Sequence, residues 1–295
     1  MAFILVTGSS GFIGSHLIRE LRKLGHWTVG CDPRPADPNN CARLCINGSV
    51  SDYLDSSSQD HNTIIFDYIF HLGAIPRMGV GVAEPARVLS NNIDSTISVL
   101  EYARKNPSTR VIFTSSSSTK WSDYRNNPYT LSKLTGEQLV ETYRQTYGVQ
   151  AVTARLYNVF GPGETRYGEN TTLLKQCRDS VRSATPISAY GSVREIFRDF
   201  THVADVVGGL LAIMKAPDPS GLYEIGAADG SVSVMQIIEA HLGPAAPTMI
   251  KLCPARPWDT AQTRADSTLW PPGWKPTRGV LEYIYDWFVR DCPEE

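Results

Sequence analysis

The sequence predicts an α/β protein: a doubly wound parallel sheet followed by a smaller, mixed α/β lobe. Three observations carry this reading. Short β-branched runs alternate with longer amphipathic stretches through the first half, the pattern of right-handed βαβ units. The first strand-to-helix turn, VTGSSGFIGSHL, holds Gly8, Gly11 and Gly14. After Gly161-Pro162-Gly163 the elements shorten and proline becomes frequent, above all from Leu252 to Pro276. The expected division is residues 1–164 for the sheet and 165–295 for the second lobe, with a segment at about 191–216 returning to pack on the sheet.

The 295 residues can bury a substantial core, and 42% hydrophobic with 20% charged residues argues against wholesale disorder. A net charge of −2 gives no general attraction to nucleic acid or to an anionic membrane, so any phosphate site must be local. No apolar run approaches the ~20 residues of a membrane span, and MAFILVTG enters a strand without a basic leader. The six cysteines (Cys31, Cys41, Cys45, Cys177, Cys253 and Cys292) include no CxxC pair and nothing that completes a zinc site, so no metal is expected. Reduced thiols fit a cytoplasmic protein.

Taken in order, Phe3–Val6 is the first strand and Ile13–Leu24 the first helix. The glycines between them let backbone N–H groups close on a pyrophosphate at a helix N-terminus. Their spacing is GxxGxxG, which an ordinary strand–helix turn can also carry. Trp27–Gly30 is the second strand, and Asp32 follows it 18 residues after Gly14. A carboxylate there can accept hydrogen bonds from an adenosine ribose; a solvated strand-end turn is the plainer alternative. An acid disfavours a 2′-phosphate, so NAD is favoured over NADP, with Arg34 close enough to soften the preference. Asp67–Leu72 is the next strand, and a helix follows from about Asn91 to Lys105. Val111–Phe113 is the fourth strand and runs into four serines, Ser115 to Ser118. A helix from Pro128 to about Tyr147 and a fifth strand, Ala151–Arg155, complete the first lobe.

Pro128 suits a first helical turn, and Asn126 or Asn127 can cap it. Tyr129 and Lys133 then fall at i and i+4 on one face. An ammonium near a phenol, with a nicotinamide cation beside both, favours phenolate and lowers a pKa that is ordinarily ~10. Such a tyrosine can take a hydroxyl proton while the same carbon is oxidised. A nearby serine hydroxyl can steady the oxygen as it becomes a carbonyl. A lone YxxxK is often a surface pair; here it follows a dinucleotide loop and a serine-tipped strand.

The ordered set TGSSGFIG, Asp32, HLGA, Asn92-Ile93, TSSS, PYTLSK and RLYNVFGPG resembles the extended short-chain dehydrogenase/reductase superfamily. Within it, the sequence is most similar to the NAD-dependent nucleotide-sugar epimerase/dehydratase family. The likeness continues through YGSVREIFRDFTHVADV, GLYEIGAADGSVSV, ARPWDTAQTRADSTL and WKPTRGVLEYIYDWF. The resemblance implies a Rossmann-type sheet with NAD as cofactor. Tyr129 would be the general base and acid, with Lys133 binding the nicotinamide ribose and tuning Tyr129. Ser116 aligns with the catalytic serine, and Ser117 is the alternative because the run blurs the register. Gly8, Gly11, Phe12, Ile13 and Gly14 would line the pyrophosphate and Asp32 the adenosine ribose, while Ser49 and Val50 fall where the family often has an Asp–Ile pair at the adenine, which weakens that contact. Leu72, Gly73 and Ala74 would border the cofactor, with Asn92 near it.

The substrate implied is a nucleotide sugar, a UDP-sugar favoured, its diphosphate met by Asn158, Arg198 and Arg256 with Asp259 beside them. Arginine's planar fork suits phosphate oxygens; ion pairs to Asp199 and Asp259 are the plainer use of the same two arginines. Tyr190 would lie beside the nucleotide base or pack as an aromatic, and His202 is expected to be structural. Similar proteins pair the Asn91–Lys105 helix and the Tyr129 helix across an interface, so a homodimer is expected.

Three departures bear on the substrate. Thr119-Lys120-Trp121 stands where the family often has Val-Tyr-Gly, only a short loop separates Ser116 from Tyr129, and Trp258 replaces the glycine of the RPGD segment. All three lie where a sugar would be recognised. Dehydratases of the family place Asp-Glu where this chain has Ser117 and Ser118, and the glutamate of the decarboxylase relatives is missing as well. C4 epimerisation is therefore the leading expectation: oxidation to a 4-keto sugar, rotation about the diphosphate linkage, and reduction from the other face. The alternatives are an NAD(P)H-dependent reductase of a keto sugar or other carbonyl, and a non-catalytic NAD-binding scaffold.

Overall fold

The computed structural model describes residues 1–35, 42–57, 64–164, 172–216, 221–227 and 230–289; Cys41, Cys292 and the expected lobe boundary at residue 165 lie outside them. In chain order the first part runs β1 (Phe3–Thr7), α1 (Phe12–Lys23), β2 (Trp27–Asp32), β3 (Leu44–Asn47), α2 (Val50–Ser57), β4 (Tyr68–His71), α3 (Met78–Ala83) and α4 (Pro85–Lys105). It continues with β5 (Arg110–Ser116), the single turn α5 (Ser118–Trp121), α6 (Pro128–Tyr147), β6 (Ala151–Leu156) and β7 (Asn158–Phe160). The rest is α7 (Leu173–Ser183), β8 (Ile187–Tyr190), β9 (Phe197–His202), α8 (Val203–Lys215), β10 (Leu222–Ile225), β11 (Ser231–Ser233), α9 (Val234–Leu242), β12 (Ile250–Cys253) and α10 (Val280–Val289).

Seven strands form one sheet in the order β10-β6-β5-β4-β1-β2-β3, every neighbouring pair parallel. The order reverses at β1, which makes this a doubly wound, Rossmann-type sheet with its crevice at the strand C-termini. Successive residues of β1 enter opposite cores, as the two-residue period of a strand requires. Ile4 and Val6 meet Leu17, Ile18 and Leu21 of α1 and Leu210 and Ile213 of α8. Leu5 meets the other face, with Leu54 of α2, Val99 and Leu100 of α4 and Val140 of α6. Fully burying each such side chain stabilises the fold by roughly 1.5–3 kcal/mol.

One sheet strand, β3, is absent from the reading of the sequence, and the sheet that β10 joins is not read there either. β3 is an edge strand whose residues are mostly exposed, so it lacks an apolar run. β10 comes from the second part of the chain yet pairs with β6, Glu224 opposite Arg155. The α4 helix begins at Pro85 rather than near Asn91, because proline fits a first helical turn.

A three-stranded sheet, β11-β9-β7, and the pair β12-β8 build the smaller layer, over a core containing Leu174, Ile187, Phe200, Ile237 and Ile238. Asp199 of β9 ties this layer together from inside. Its buried carboxylate accepts from the N–H groups of Ala227 at 2.8 Å and Ala265 at 3.0 Å and from the Thr201 hydroxyl at 3.1 Å. Burial nevertheless holds its pKa up at about 6. Among the described residues no helix is long and apolar enough to cross a membrane, and no cluster of His, Cys, Asp and Glu could hold a metal.

Candidate active site

The β1–α1 turn packs directly on the loop that follows β4. Gly8 has φ 68°, and a Cβ there would lie 2.9 Å from the Gly73 nitrogen. At Gly14, inside the first turn of α1, a Cβ would lie 2.2 Å from the Gly8 carbonyl oxygen. Any side chain would collide with the loop after β4 at the first place and with the turn itself at the second. Gly11 is the N-cap of α1, whose first turn begins with Phe12 and Ile13 and carries no acidic residue. These residues fit a dinucleotide: the backbone can approach a pyrophosphate closely, and the helix dipole favours its charge.

Polar side chains fix the neighbouring loops. Thr7 Oγ1 accepts the Gly73 N–H at 2.9 Å and lies 2.8 Å from His71 Nδ1, while His71 Nε2 lies 3.2 Å from Thr96 Oγ1. The Thr96 hydroxyl donates to the Asn92 carbonyl, so His71 donates from Nε2 and accepts at Nδ1 as a neutral ring. Burial first, and the Lys133 charge second, hold His71 down at about 3. Asn92 is buried and its amide clamps the Ile75 backbone, accepting its N–H at 2.8 Å, and reaches Ser132. Leu72, Gly73 and Ala74 are thus held half-buried against the glycine turn.

Asp32 ends β2 beneath that turn. Its carboxylate accepts from the Ser10 N–H at 3.1 Å and from Arg34, through the backbone N–H, Nε and Nη2. Asp32 is therefore engaged by the loop and by Arg34 at the place expected for the adenosine ribose. Farther along, Ser49 caps α2 by accepting the Asp52 N–H, and Val50 is buried in the core.

The four serines separate by pleat and by turn. Ser115 points into the sheet's interior and donates to Glu137 at 2.6 Å. Ser116, the last residue of β5, lies near enough to Tyr129 to draw its phenol down. Its Oγ accepts from the Ser118 N–H at 3.2 Å and the Ser118 hydroxyl at 3.1 Å, which leaves its own proton to donate. Ser117 opens the α5 turn, its carbonyl accepting from Lys120 and Trp121.

Asn127 caps α6, its Oδ1 accepting from the Tyr129 and Thr130 N–H groups. One turn on, the buried Lys133 ammonium donates to the Thr114 carbonyl at 2.9 Å and lies over the Phe113 ring. Burial lowers Lys133 to about 8. The Tyr129 phenol is raised by burial, then drawn back by Ser116 and by the Arg77 charge. The Lys133 ammonium lies on the β5 carbonyl, and Arg77 is the cation that draws the phenol down.

Behind the serines lies a buried ionic network. Glu137 accepts from Thr119 at 2.8 Å and from Arg155 through Nε at 2.9 Å and Nη2 at 2.6 Å. Glu224, fully buried, accepts from Lys120, Arg155, Tyr157 and the Asp266 N–H. Thr119 and Lys120, which depart from the family pattern, are thus pinned back to the sheet.

The expected substrate residues gather in the second layer. Tyr190 at the end of β8 carries the Arg256 guanidinium 4.4 Å over its ring. Arg256 forks onto Asp259, Nε at 2.9 Å and Nη2 at 2.8 Å. Arg198 lies beside this pair: burial lowers it, Asp259 raises it and Arg256 lowers it again. Asn158 joins through a 3.0 Å bond to the Asp199 carbonyl. The plain ion pair is present for Arg256, whereas the Asp199 carboxylate faces backbone donors rather than Arg198. His202 caps α8 and stacks on Phe160 and Tyr283.

Arg77, Thr7, His71 and Glu224 are not singled out in the sequence reading. The signals were an arginine just past HLGA, the Thr of VTG, the His of HLGA and the Glu of GLYEIG. Each becomes meaningful only through a partner some distance along the chain.

A family model described as the NAD dependent epimerase/dehydratase family matches residues 4–226. The chain is 30% identical over 257 residues to an uncharacterized UDP-glucose epimerase, YtcB, of Bacillus subtilis (strain 168), covering 80% of this chain and 79% of that one. It is similar in structure to a UDP-glucose 4-epimerase of Thermotoga maritima solved with UDP-glucose: TM-score 0.83, 25% identity, 98% of this chain and 99% of that one. It is also similar to MoeE5 solved with UDP-glucuronic acid and NAD: TM-score 0.81, 27% identity, 98% and 99% covered.

Proposed function

Because this chain belongs to the NAD dependent epimerase/dehydratase family, we propose that it inverts C4 of a UDP-linked hexose. The observation that carries the reading is Ser116 at the end of β5 with Tyr129 and Lys133 on successive turns of α6, and the glycine cradle at the end of β1. NAD, held by the cradle formed by Gly8, Gly11 and Gly14, supplies a reversible two-electron acceptor for C4. Tyr129 takes the proton of the 4-hydroxyl and later returns it. Ser116, its oxygen already accepting from Ser118, keeps its own proton for the sugar oxygen as that oxygen gains carbonyl character. Lys133 holds a positive charge behind the phenol and reaches the nicotinamide ribose. Arg198 and Arg256 meet the diphosphate, Asn158 supports them, and Tyr190 borders the nucleotide base while the sugar ring turns. Ser117 and Ser118 carry hydroxyls and cannot serve as the acid pair that a dehydration needs, which favours epimerisation within the family.

The test is product analysis by NMR of NAD-loaded protein supplied with UDP-glucose or UDP-glucuronate. The C4 epimer should appear without net reduction of NAD. Tyr129→Phe should slow it by about 10²–10⁴-fold while NAD stays bound. Net, stoichiometric consumption of reduced cofactor would instead mark a reductase.

A further inference from the structure

We propose that Lys120, through its ion pair with Glu224, is a positioning residue for Ser116: it fixes the α5 turn that aims the serine hydroxyl. The proposal rests on the 4-epimerase reading above and deepens it, since Ser116 is the group acted through. Ser116 is aimed from behind. Its Oγ accepts from the backbone N–H and the hydroxyl of Ser118, so the place of Ser118 sets the direction of the Ser116 side chain. Ser118 opens α5, and α5 cannot hold that place by itself. It is four residues long, and its N-cap Ser117 makes no side-chain cap bond. A single helical turn is far below the length that is stable alone. The chain leaves it through Ser122 in extended backbone, and residues 123–126 are exposed. Ties from outside the turn must therefore fix it.

Two side chains of the turn reach such ties. Thr119 Oγ1 lies 2.8 Å from the Ser116 carbonyl and 2.8 Å from Glu137 Oε1, but its one proton serves one of them at a time. Lys120 is the firmer tie: Nζ donates to both oxygens of Glu224, each at 3.0 Å. Glu224 is a rigid anchor, fully buried on β10 opposite Arg155. It also accepts from Arg155 at 3.3 Å, from the Tyr157 hydroxyl at 2.8 Å and from the Asp266 N–H at 2.7 Å.

The charge balance shows what Lys120 adds. Arg155 answers both Glu137 and Glu224, so each buried acid keeps a countercharge without the lysine. What the lysine contributes is the place of its own backbone, and with it the place of Ser118. Lys120 belongs to the Thr119-Lys120-Trp121 segment, which stands where the family often has Val-Tyr-Gly. The tie to Glu224 is thus a feature of this chain and not one that the family pattern supplies.

The NAD-loaded full chain tests this through Lys120→Met, Ser116→Ala and the double substitution, with Lys120→Arg as the conservative control. The substrate is UDP-glucose or UDP-glucuronate, whichever turns over faster. Lys120→Met should lower kcat about 10-fold, within what a misplacement of about 1 Å costs. The affinity for UDP, measured by calorimetry, should not change, and Lys120→Arg should restore most of the rate. In the Ser116→Ala background, Lys120→Met should change kcat by less than about twofold, because a residue that acts through Ser116 has nothing left to aim. Hydrogen exchange followed by mass spectrometry should show residues 118–122 exchanging faster in Lys120→Met, with the central sheet unchanged. An equal rate loss in both backgrounds overturns the proposal, and so does a wild-type kcat in Lys120→Met. A matching loss of UDP affinity overturns it too, since the lysine would then be a substrate contact. A wild type that epimerises neither sugar removes the 4-epimerase reading instead. Exchange at residues 118–122 then still decides whether the Lys120–Glu224 pair holds the turn.

Discussion

Ser115 and Ser116 share a strand but face opposite ways, so adjacent hydroxyls meet different chemistry. Ser115 satisfies Glu137, whereas Ser116 lies near Tyr129 and draws its phenol down. Ser116→Ala should lower the epimerisation rate about 10²-fold, as loss of a donor to a developing carbonyl oxygen does. It should also move the alkaline rise of the pH–rate profile upward, because Ser116 holds the phenol pKa down and its loss lets that pKa rise. Ser115→Ala should leave that rise in place. Its effect should appear in urea unfolding instead, as a loss of about 1–3 kcal/mol from an under-satisfied buried carboxylate.

At the scale of elements, the pairing of β10 with β6 brings Glu224 opposite Arg155 and closes the charge network behind the serine turn. Glu224→Gln removes the countercharge of a fully buried group that serves Lys120, Arg155, Tyr157 and a backbone N–H. It should cost about 3–5 kcal/mol in urea unfolding, the range for breaking a buried ion pair from one side. Lys120→Met should cost less, because the Lys120 side chain is 30% exposed and Arg155 still answers Glu224. Burial of Glu224 also explains why this acid is hard to read in the sequence: Leu222–Ile225 reads as a short strand, and nothing local says which sheet it joins.

For the whole molecule, buried histidines set the response to acid. His71 is held at about 3, and His202 and His241 at about 4, chiefly by desolvation. Unfolded, each titrates near ~6.5. Their contribution is complete above that value and is lost as pH falls below it, because the unfolded chain takes up protons first. Asp199 acts in the opposite sense: raised to about 6, it gains stability as pH falls through that value and offsets about one histidine. Scanning calorimetry should therefore find the melting temperature falling between about pH 6.5 and pH 5, by up to ~1.4 kcal/mol per pH unit for each uncompensated histidine. A melting temperature that rose across that interval would contradict the assignment.

The sequence by itself determined the sheet class, the glycine cradle and the Tyr129/Lys133 spacing, because a strand-to-helix turn, an apolar period and an i,i+4 pair are all local. It also narrowed the serine to Ser116 or Ser117. Only the tertiary structure separates the two, since that depends on where the β5 pleat ends and where the α5 turn begins. Tertiary structure likewise decided that Lys133 lies on the Thr114 carbonyl. Those relations join residues far apart in the chain, and a side chain's pKa and partners follow from the groups packed around it.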